Sequence, residues 1–333
     1  MDLDATDAPL RIGVLGAARI APMALLRPAR AVRGASVVAI AARDRERARA
    51  MAEKHGVPRV HASYDALVDD PEIDAVYVPL PNSFHREWTI RALEAGKHVL
   101  CEKPIASNAE EALDMVEAAR RADRRLVEAF HWRHHPLARR MLEVVASGEL
   151  GRVRRIEASF CIPLPLPGDI RWRLDLSGGA TMDTGCYAIH ALRTLAGAEP
   201  EVVSARAKLA SPRVDRAMEA EMRFADGRTG RMRCSLLSAR LLSISAAVFG
   251  DLGEMRVFNF VAPHFHHSLR VTTGSGTRRE RLLGEATYVY QLRAFVEHVR
   301  RGAPVPTGPF DAVANMCAID AVYEASGLGR RGT

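Results

Sequence analysis

Five short apolar runs, separated by stretches of helical period, fill residues 11–130 and constrain the fold of this chain more than any other feature. They are Arg11-Ile12-Gly13-Val14-Leu15-Gly16, Val37 to Ala42, Ala75 to Val78, His98 to Cys101 and Arg125 to Ala129. A strand with one wet face alternates apolar and polar residues. Runs that are apolar on both faces suit a parallel sheet covered by helices on each side. The segments between them read as helices. Ser107-Asn108-Ala109-Glu110 reads as a capping box with Ser107 as N-cap, and Ala109, Ala112, Leu113, Val116 and Ala119 follow a helical stripe. Trp88 to Ala95 reads as a shorter helix that Gly96 closes. This alternation predicts a doubly wound α/β sheet with its ligand site at the carboxyl ends of the strands.

The first run ends in Gly16-Ala17-Ala18-Arg19-Ile20-Ala21. This matches the dinucleotide-binding turn G-x-G-x-x-G/A with alanine at the second glycine, where the backbone must approach a pyrophosphate. Strand before and helix after give it the right context. The second run ends Ala41-Ala42-Arg43-Asp44-Arg45. An acidic residue there binds a ribose 2′-hydroxyl, and an arginine accommodates a 2′-phosphate. Arg43 therefore points to NADP, and Asp44 keeps NAD as the alternative.

Past Gly151 the pattern becomes alternating: Val153 to Cys161, Val202 to Leu209, Met218 to Phe224, Gly230 to Leu236, Ser243 to Phe249 and Leu252 to Val257. Asp226-Gly227 marks a hairpin turn. The prediction is a C-terminal α+β domain: a large, mostly antiparallel sheet with a helix at 180–197 on one face. Tyr288 to Arg301 and Asp311 to Ala325 read as late helices packing back on the first domain. The expected division is a Rossmann domain over residues 9–130 and a substrate-binding and oligomerisation domain over 131–333.

Among 333 residues, Lys and Arg total 47, yet lysine occurs only at Lys54, Lys97, Lys103 and Lys208. Arginine stays protonated, whereas lysine can be tuned for proton transfer. Lys103 follows a buried run and precedes Pro104, a position suited to acid/base work. The net charge of +7 is spread along the chain without the aromatic interleaving of a single-strand binder, so no nucleic-acid partner is expected. A positive field favours an anionic ligand. No stretch reaches the roughly 18 apolar residues of a membrane span. The acidic start Met1-Asp2-Leu3-Asp4 is unlike a signal peptide, and a cytoplasmic location is the expectation. The five cysteines lack metal-ligand spacing, and His264-Phe265-His266-His267 reads as a loop, so no metal is expected.

Four ordered elements give the chain a family resemblance. They are the Arg11–Ala21 turn, Asp74 to His85 with Pro81-Asn82-x-x-His85, Gly96 to Pro104 with Glu102-Lys103-Pro104, and Gly178-Gly179-Ala180-Thr181-Met182-Asp183-Thr184-Gly185-Cys186-Tyr187. Together they resemble the glucose–fructose oxidoreductase and inositol dehydrogenase family of NAD(P)-dependent oxidoreductases, over nearly the whole chain. Inositol dehydrogenase-like members carry histidine where this chain has Tyr187. Relatives resembling glucose–fructose oxidoreductase, dihydrodiol dehydrogenase, xylose dehydrogenase and sugar ketoreductases carry tyrosine.

The resemblance implies hydride transfer between NADP(H) and a hydroxyl or carbonyl carbon of a sugar, sugar derivative or cyclic diol. It implies Lys103, Asp183 and Tyr187 as catalytic residues. Lys103 would polarise the substrate oxygen and favour the phenolate of Tyr187, which handles the proton. At helical i, i+4 spacing, Asp183 and Tyr187 share a face. Gly16, Ala17, Ala18, Arg19, Ile20, Arg43, Leu80, Asn82, His85, Glu102 and Lys103 would hold the cofactor. Trp172, Arg173 and His190 would meet the substrate. The uncovered sheet face would carry a homodimer or homotetramer interface. Two other readings stay open: an NAD-dependent redox glycosidase, and a non-catalytic NADP-binding sensor. The loop Pro163-Leu164-Pro165-Leu166-Pro167 hints at a less polar substrate.

Overall fold

The computed structural model describes residues 8–164, 168–238 and 242–333. The Met1-Asp2-Leu3-Asp4 start and residues 165–167 of the proline-rich loop lie outside the described residues. The chain forms two compact units. One holds the residues up to Ala106 with Glu110–His134 and Glu285–Ala312; the other holds Ser107–Ala109, His135–Gly284 and Val313–Thr333.

The first unit carries the strands β1 (Leu10–Leu15), β2 (Ala35–Ala41), β3 (Arg59–Val60), β4 (Ala75–Val78), β5 (His98–Cys101) and β6 (Leu126–Glu128). They form one parallel sheet in the order β3-β2-β1-β4-β5-β6, with the order reversing beside β1. The helices, in chain order, are α1 (Pro28–Ala31), α2 (Arg45–His55), α3 (Tyr64–Val68), α4 (His85–Glu94), α5 (Ala109–Ala122), α6 (Pro136–Ala146), α7 (Cys186–Ala196), α8 (Thr287–Arg301) and α9 (Pro309–Ala325). Every residue of β4 is buried, as a central parallel strand requires. Val14, Leu25, Ile40, Tyr77, Leu292 and Phe295 belong to one core cluster, so α8 packs with this unit. Each such fully buried side chain contributes roughly 1.5–3 kcal/mol.

Two local expectations change. The helix after the first turn is a π-helical turn, Pro22–Leu26, followed by the four-residue α1. Pro22 and Pro28 lack the N–H that a continuous α-helix needs. The capping box also reads differently. Helix α5 begins at Ala109, whose N–H donates to the Asp320 carboxylate at 2.9 Å, a partner 211 residues away.

The second unit carries β7 (Val153–Cys161), β8 (Glu201–Ser211), β9 (Val214–Arg223), β10 (Thr229–Ser235), β11 (Ser243–Gly250), β12 (Gly253–Phe258), β13 (Ser268–Thr273) and β14 (Gly276–Glu280). Their order is β14-β13-β12-β11-β7-β10-β9-β8, and all pairings are antiparallel except β7 with β10. Helix α7 packs on β7, β10 and β11. The outward side chains of these strands are largely paired arginines and glutamates, such as Arg231 with Glu219 at 3.2 Å and Arg155 with Glu157 at 3.1 Å. Among the described residues no helix is long and apolar enough to cross a membrane.

Candidate active site

The expected site residues divide between the two units. In the first, β1 is followed by Gly16, which holds φ +102°. A Cβ there would sit 3.0 Å from Leu80 Cδ2, so glycine alone fits both the backbone and its neighbour. Ala17 is buried, Ala18 and Ile20 are half-buried, and Arg19 is exposed. The Ala17 carbonyl accepts from Arg47 Nη2 at 3.1 Å. Because a trans peptide points its N–H opposite its C=O, the Ala18 N–H faces away from Arg47. A turn fixed this way, leading from a strand to a helical segment, fits a pyrophosphate.

Arg43 and Asp44 have separate fates. The Asp44 carboxylate accepts the Arg47 backbone N–H at 3.1 Å and caps α2. Arg43 is exposed, its guanidinium 5.9 Å from the Phe84 ring centre. It also hydrogen-bonds Tyr64, whose phenol burial pushes upward and Arg43 pulls down. Tyr64 in turn meets Trp88 edge-on at 4.9 Å.

The loop bearing Lys103 is anchored on several sides. Tyr77 donates to the Glu102 carboxylate at 2.6 Å, and both are buried. Glu128 accepts the Ile105 N–H at 2.8 Å. His85 spans the loops after β4 and β5, with Nδ1 2.9 Å from the Pro104 carbonyl and Nε2 2.8 Å from the Leu80 carbonyl. Burial pushes this imidazole toward its neutral form, against two carbonyls that only an imidazolium satisfies together. His85 is 0% exposed, with a carbonyl at each ring nitrogen. It latches the two loops to each other in the interior. Lys103 itself is half-buried, Asn82 opens a short 3₁₀ turn (Asn82–Phe84), and Leu80 is half-buried above Gly16.

A further aromatic stands near Glu102. Tyr288 on α8 is held protonated by burial and then by the Glu102 charge. Its ring stacks on His131 at 4.0 Å, and His131 bonds Thr287 at 2.8 Å. Tyr77 was legible in principle: a phenol inside an otherwise aliphatic strand needs a buried partner. No sequence signal marks Tyr288.

In the second unit, Asp183 lies in a π-helical turn, Thr181–Gly185, that runs into α7. The Cys186 N–H reaches the Thr181 carbonyl, an i→i+5 bond. The wider turn alters the simple i, i+4 alignment of Asp183 with Tyr187, and such turns recur at functional sites. Tyr187 is 4% exposed and meets Phe160 edge-on at 5.4 Å.

Asp183 pairs with an arginine that the sequence did not single out. Arg171 Nε lies 2.8 Å from Asp183 Oδ2, and its Nη1 lies 3.0 Å from Asp169. The Asp183 charge is the largest influence raising the proton affinity of Arg171. Arg173 is exposed and bonds Asp175 at 3.1 Å. Trp172 is half-buried in the turn Ile170–Trp172. His190 is 0% exposed on α7.

Known proteins resemble this chain throughout. Residues 10–130 match the family described as "Oxidoreductase family, NAD-binding Rossmann fold". Residues 138–256 match the "GFO/IDH/MocA C-terminal domain". An uncharacterized oxidoreductase of Rhizobium meliloti is 36% identical over 328 residues, covering 96% of this chain and 98% of the relative. A D-xylose 1-dehydrogenase (NADP(+)) of Haloferax volcanii is 34% identical over 322 residues, with the same 96% and 98% coverage. Among solved structures, a 3-ketoreductase from Actinomadura kijaniata in complex with NADP and TDP-benzene superposes with a TM-score of 0.89. It is 31% identical, covering 96% of this chain and 98% of that one.

Proposed function

The chain belongs to the GFO/IDH/MocA family of NAD(P)-dependent oxidoreductases, and from that premise we propose that it uses NADP(H) to interconvert a hydroxyl and a carbonyl on a sugar, sugar derivative or cyclic diol. The observation that carries the cofactor choice is the commitment of Asp44 to its own helix cap. A carboxylate already holding the α2 N-terminus is a poor ribose ligand. Arg43, exposed beside it, would take a 2′-phosphate. The NADP(+) in the name of the Haloferax relative and the NADP in the Actinomadura complex support the same choice.

The nicotinamide supplies or accepts the hydride. The residues of the chain handle everything else. Gly16 to Ile20 would receive the pyrophosphate. Lys103, on a loop fixed by Tyr77, His85 and Glu128, would donate to the substrate oxygen. Tyr187 would exchange the proton on that oxygen, and the Lys103 charge would favour its phenolate. Asp183, paired with Arg171, would orient a neighbouring hydroxyl. Trp172 would bound the substrate. The eight-stranded sheet, whose edge strand β8 leaves Val203 and Leu209 exposed, would pair copies of the chain as a homodimer or homotetramer.

Fluorescence titration with NADPH and NADH, followed by an NADPH-linked screen of sugars and cyclic diols, tests this reading. NADPH should bind at least about tenfold more tightly than NADH, a difference of about 1.4 kcal/mol. Arg43→Ala should remove most of that preference. Tighter binding of NADH, or no turnover with any hydroxyl or carbonyl compound, would defeat it.

A further inference from the structure

The second unit contains an ion pair with no solvent access. Arg331 Nη2 lies 3.2 Å from Asp215 Oδ1, and both side chains are 0% exposed. Burying two charges is unfavourable unless their remaining hydrogen-bonding capacity is met. Here the carboxylate's capacity is met largely by the backbone that carries Asp183, while Arg331 Nη1 has no hydrogen-bond partner among the described residues. The second oxygen of Asp215 accepts from the Thr181 N–H at 2.8 Å and from its hydroxyl at 2.7 Å. The first also accepts from the Tyr323 hydroxyl at 2.9 Å. Arg331 Nε donates to the Gly178 carbonyl at 3.2 Å, and the guanidinium lies 3.8 Å over the Tyr323 ring.

Space confirms how tightly the carboxylate is seated. A Cβ on Gly179, at φ +129°, would fall 2.1 Å from Asp215 Oδ1. The same arginine reaches a second segment through its own backbone. The Arg331 carbonyl accepts from Asn108 Nδ2 at 2.8 Å, and Asn108 follows Lys103 by five residues.

We propose that Asp215 and Arg331 are a positioning pair. They set the backbone from Gly178 to Thr181 and thereby aim Asp183 and Tyr187, and the Arg331 carbonyl ties down the chain behind Lys103. Neither residue touches substrate. The pair explains an otherwise costly buried charge by what it holds in place. Its catalytic consequence rests on the proposed oxidoreductase function, but its structural consequence does not.

The test uses the full chain with Arg331→Met, Arg331→Lys and the double variant Asp215→Asn/Arg331→Met. The double variant leaves no unpaired buried charge, so it stays informative if Arg331→Met does not fold. Hydrogen exchange is read over residues 178–187 alongside NADPH affinity, kcat and KM. In the folded Met-bearing variants, exchange at 178–187 should rise about tenfold, well above the change elsewhere, because Arg331 no longer holds the side chain at 215 that accepts the Thr181 N–H or the Gly178 carbonyl. NADPH affinity should hold within about twofold while kcat falls at least about tenfold with KM little changed. Arg331→Lys should recover part of both effects. Unchanged exchange at 178–187, or protection lost evenly along the chain, would overturn the positioning pair. Raised exchange there with kcat intact would overturn its catalytic role. A wild-type protein that turns over no substrate would instead sink the oxidoreductase reading, with the exchange data still deciding the pair.

Discussion

Arg171 holds Asp183, with Nε 2.8 Å from Oδ2, while Arg173 two residues later pairs with Asp175 on the surface. The distinction yields an asymmetric expectation. Arg171→Ala frees the Asp183 carboxylate from its partner and should lower kcat/KM about tenfold to a hundredfold, or about 1.4–2.7 kcal/mol. Arg173→Ala removes an exposed ion pair and should stay within about twofold. Steady-state kinetics of the two variants decide the matter, and equal losses would count against Arg171 as the residue that orients Asp183.

What sequence could and could not show follows from how local each cause is. The runs at 11–16, 75–78 and 98–101 became β1, β4 and β5 because burial on both faces leaves an unbroken apolar signature. Gly96 closes α4 at φ +77°, as its position required. The two-residue β3 and the hairpin of β13 and β14 left too little pattern, the latter being rich in Thr, Arg and Gly. Lys103, Asp183 and Tyr187 stand in motifs that read from sequence. The partners Arg171 and Asp215, and the Asp320 cap on α5, come from long-range contacts that no local spacing encodes. Trp172 and Arg173 read only as substrate contacts, and nothing local linked either arginine of this segment to Asp183. Only the turn Ile170–Trp172, started by Asp169, decides which arginine reaches Asp183.

Asp44 separates capping from cofactor recognition. Its carboxylate accepts the Arg47 N–H, so Asp44→Ala should destabilise the protein by about 1 kcal/mol, the usual cost of a lost N-cap. The ratio of NADPH to NADH affinity should not move. A melting curve and paired cofactor titrations measure both effects. A selective loss of NADH binding in the variant would mean that Asp44 does reach a ribose.

Tyr77 supports Lys103 from below. Its hydroxyl is 2.6 Å from the Glu102 carboxylate, and both groups are buried. Tyr77→Phe keeps the packing but strips a buried carboxylate of a donor, which should cost about 1–3 kcal/mol. Because Glu102 directly precedes Lys103, kcat should fall as well. Thermal unfolding and turnover should therefore both drop in this variant. A stable, fully active Tyr77→Phe would show that Glu102 needs no anchor.

Glu280 gives the clearest acid-sensitive contact. Arg140 grips it with two bonds at 2.7 and 2.9 Å, and Arg278 adds a third at 2.9 Å. These partners, Arg140 foremost, hold its carboxyl down at about 2 against an ordinary value of 4.5. A depressed carboxylate adds stability that is complete above the unfolded value and disappears as pH falls through the folded one. The contribution should thus be full above about pH 4.5 and lost by about pH 2. With solvent screening of a side chain 22% exposed, about 1–2 kcal/mol is a reasonable size. Glu280→Gln should lower stability by that amount at pH 7, and the gap to wild type should close progressively on acidification. Denaturant melts at a series of pH values measure it directly, and a gap that stays constant down to about pH 2 would show that the Arg140–Glu280–Arg278 contacts contribute through packing alone.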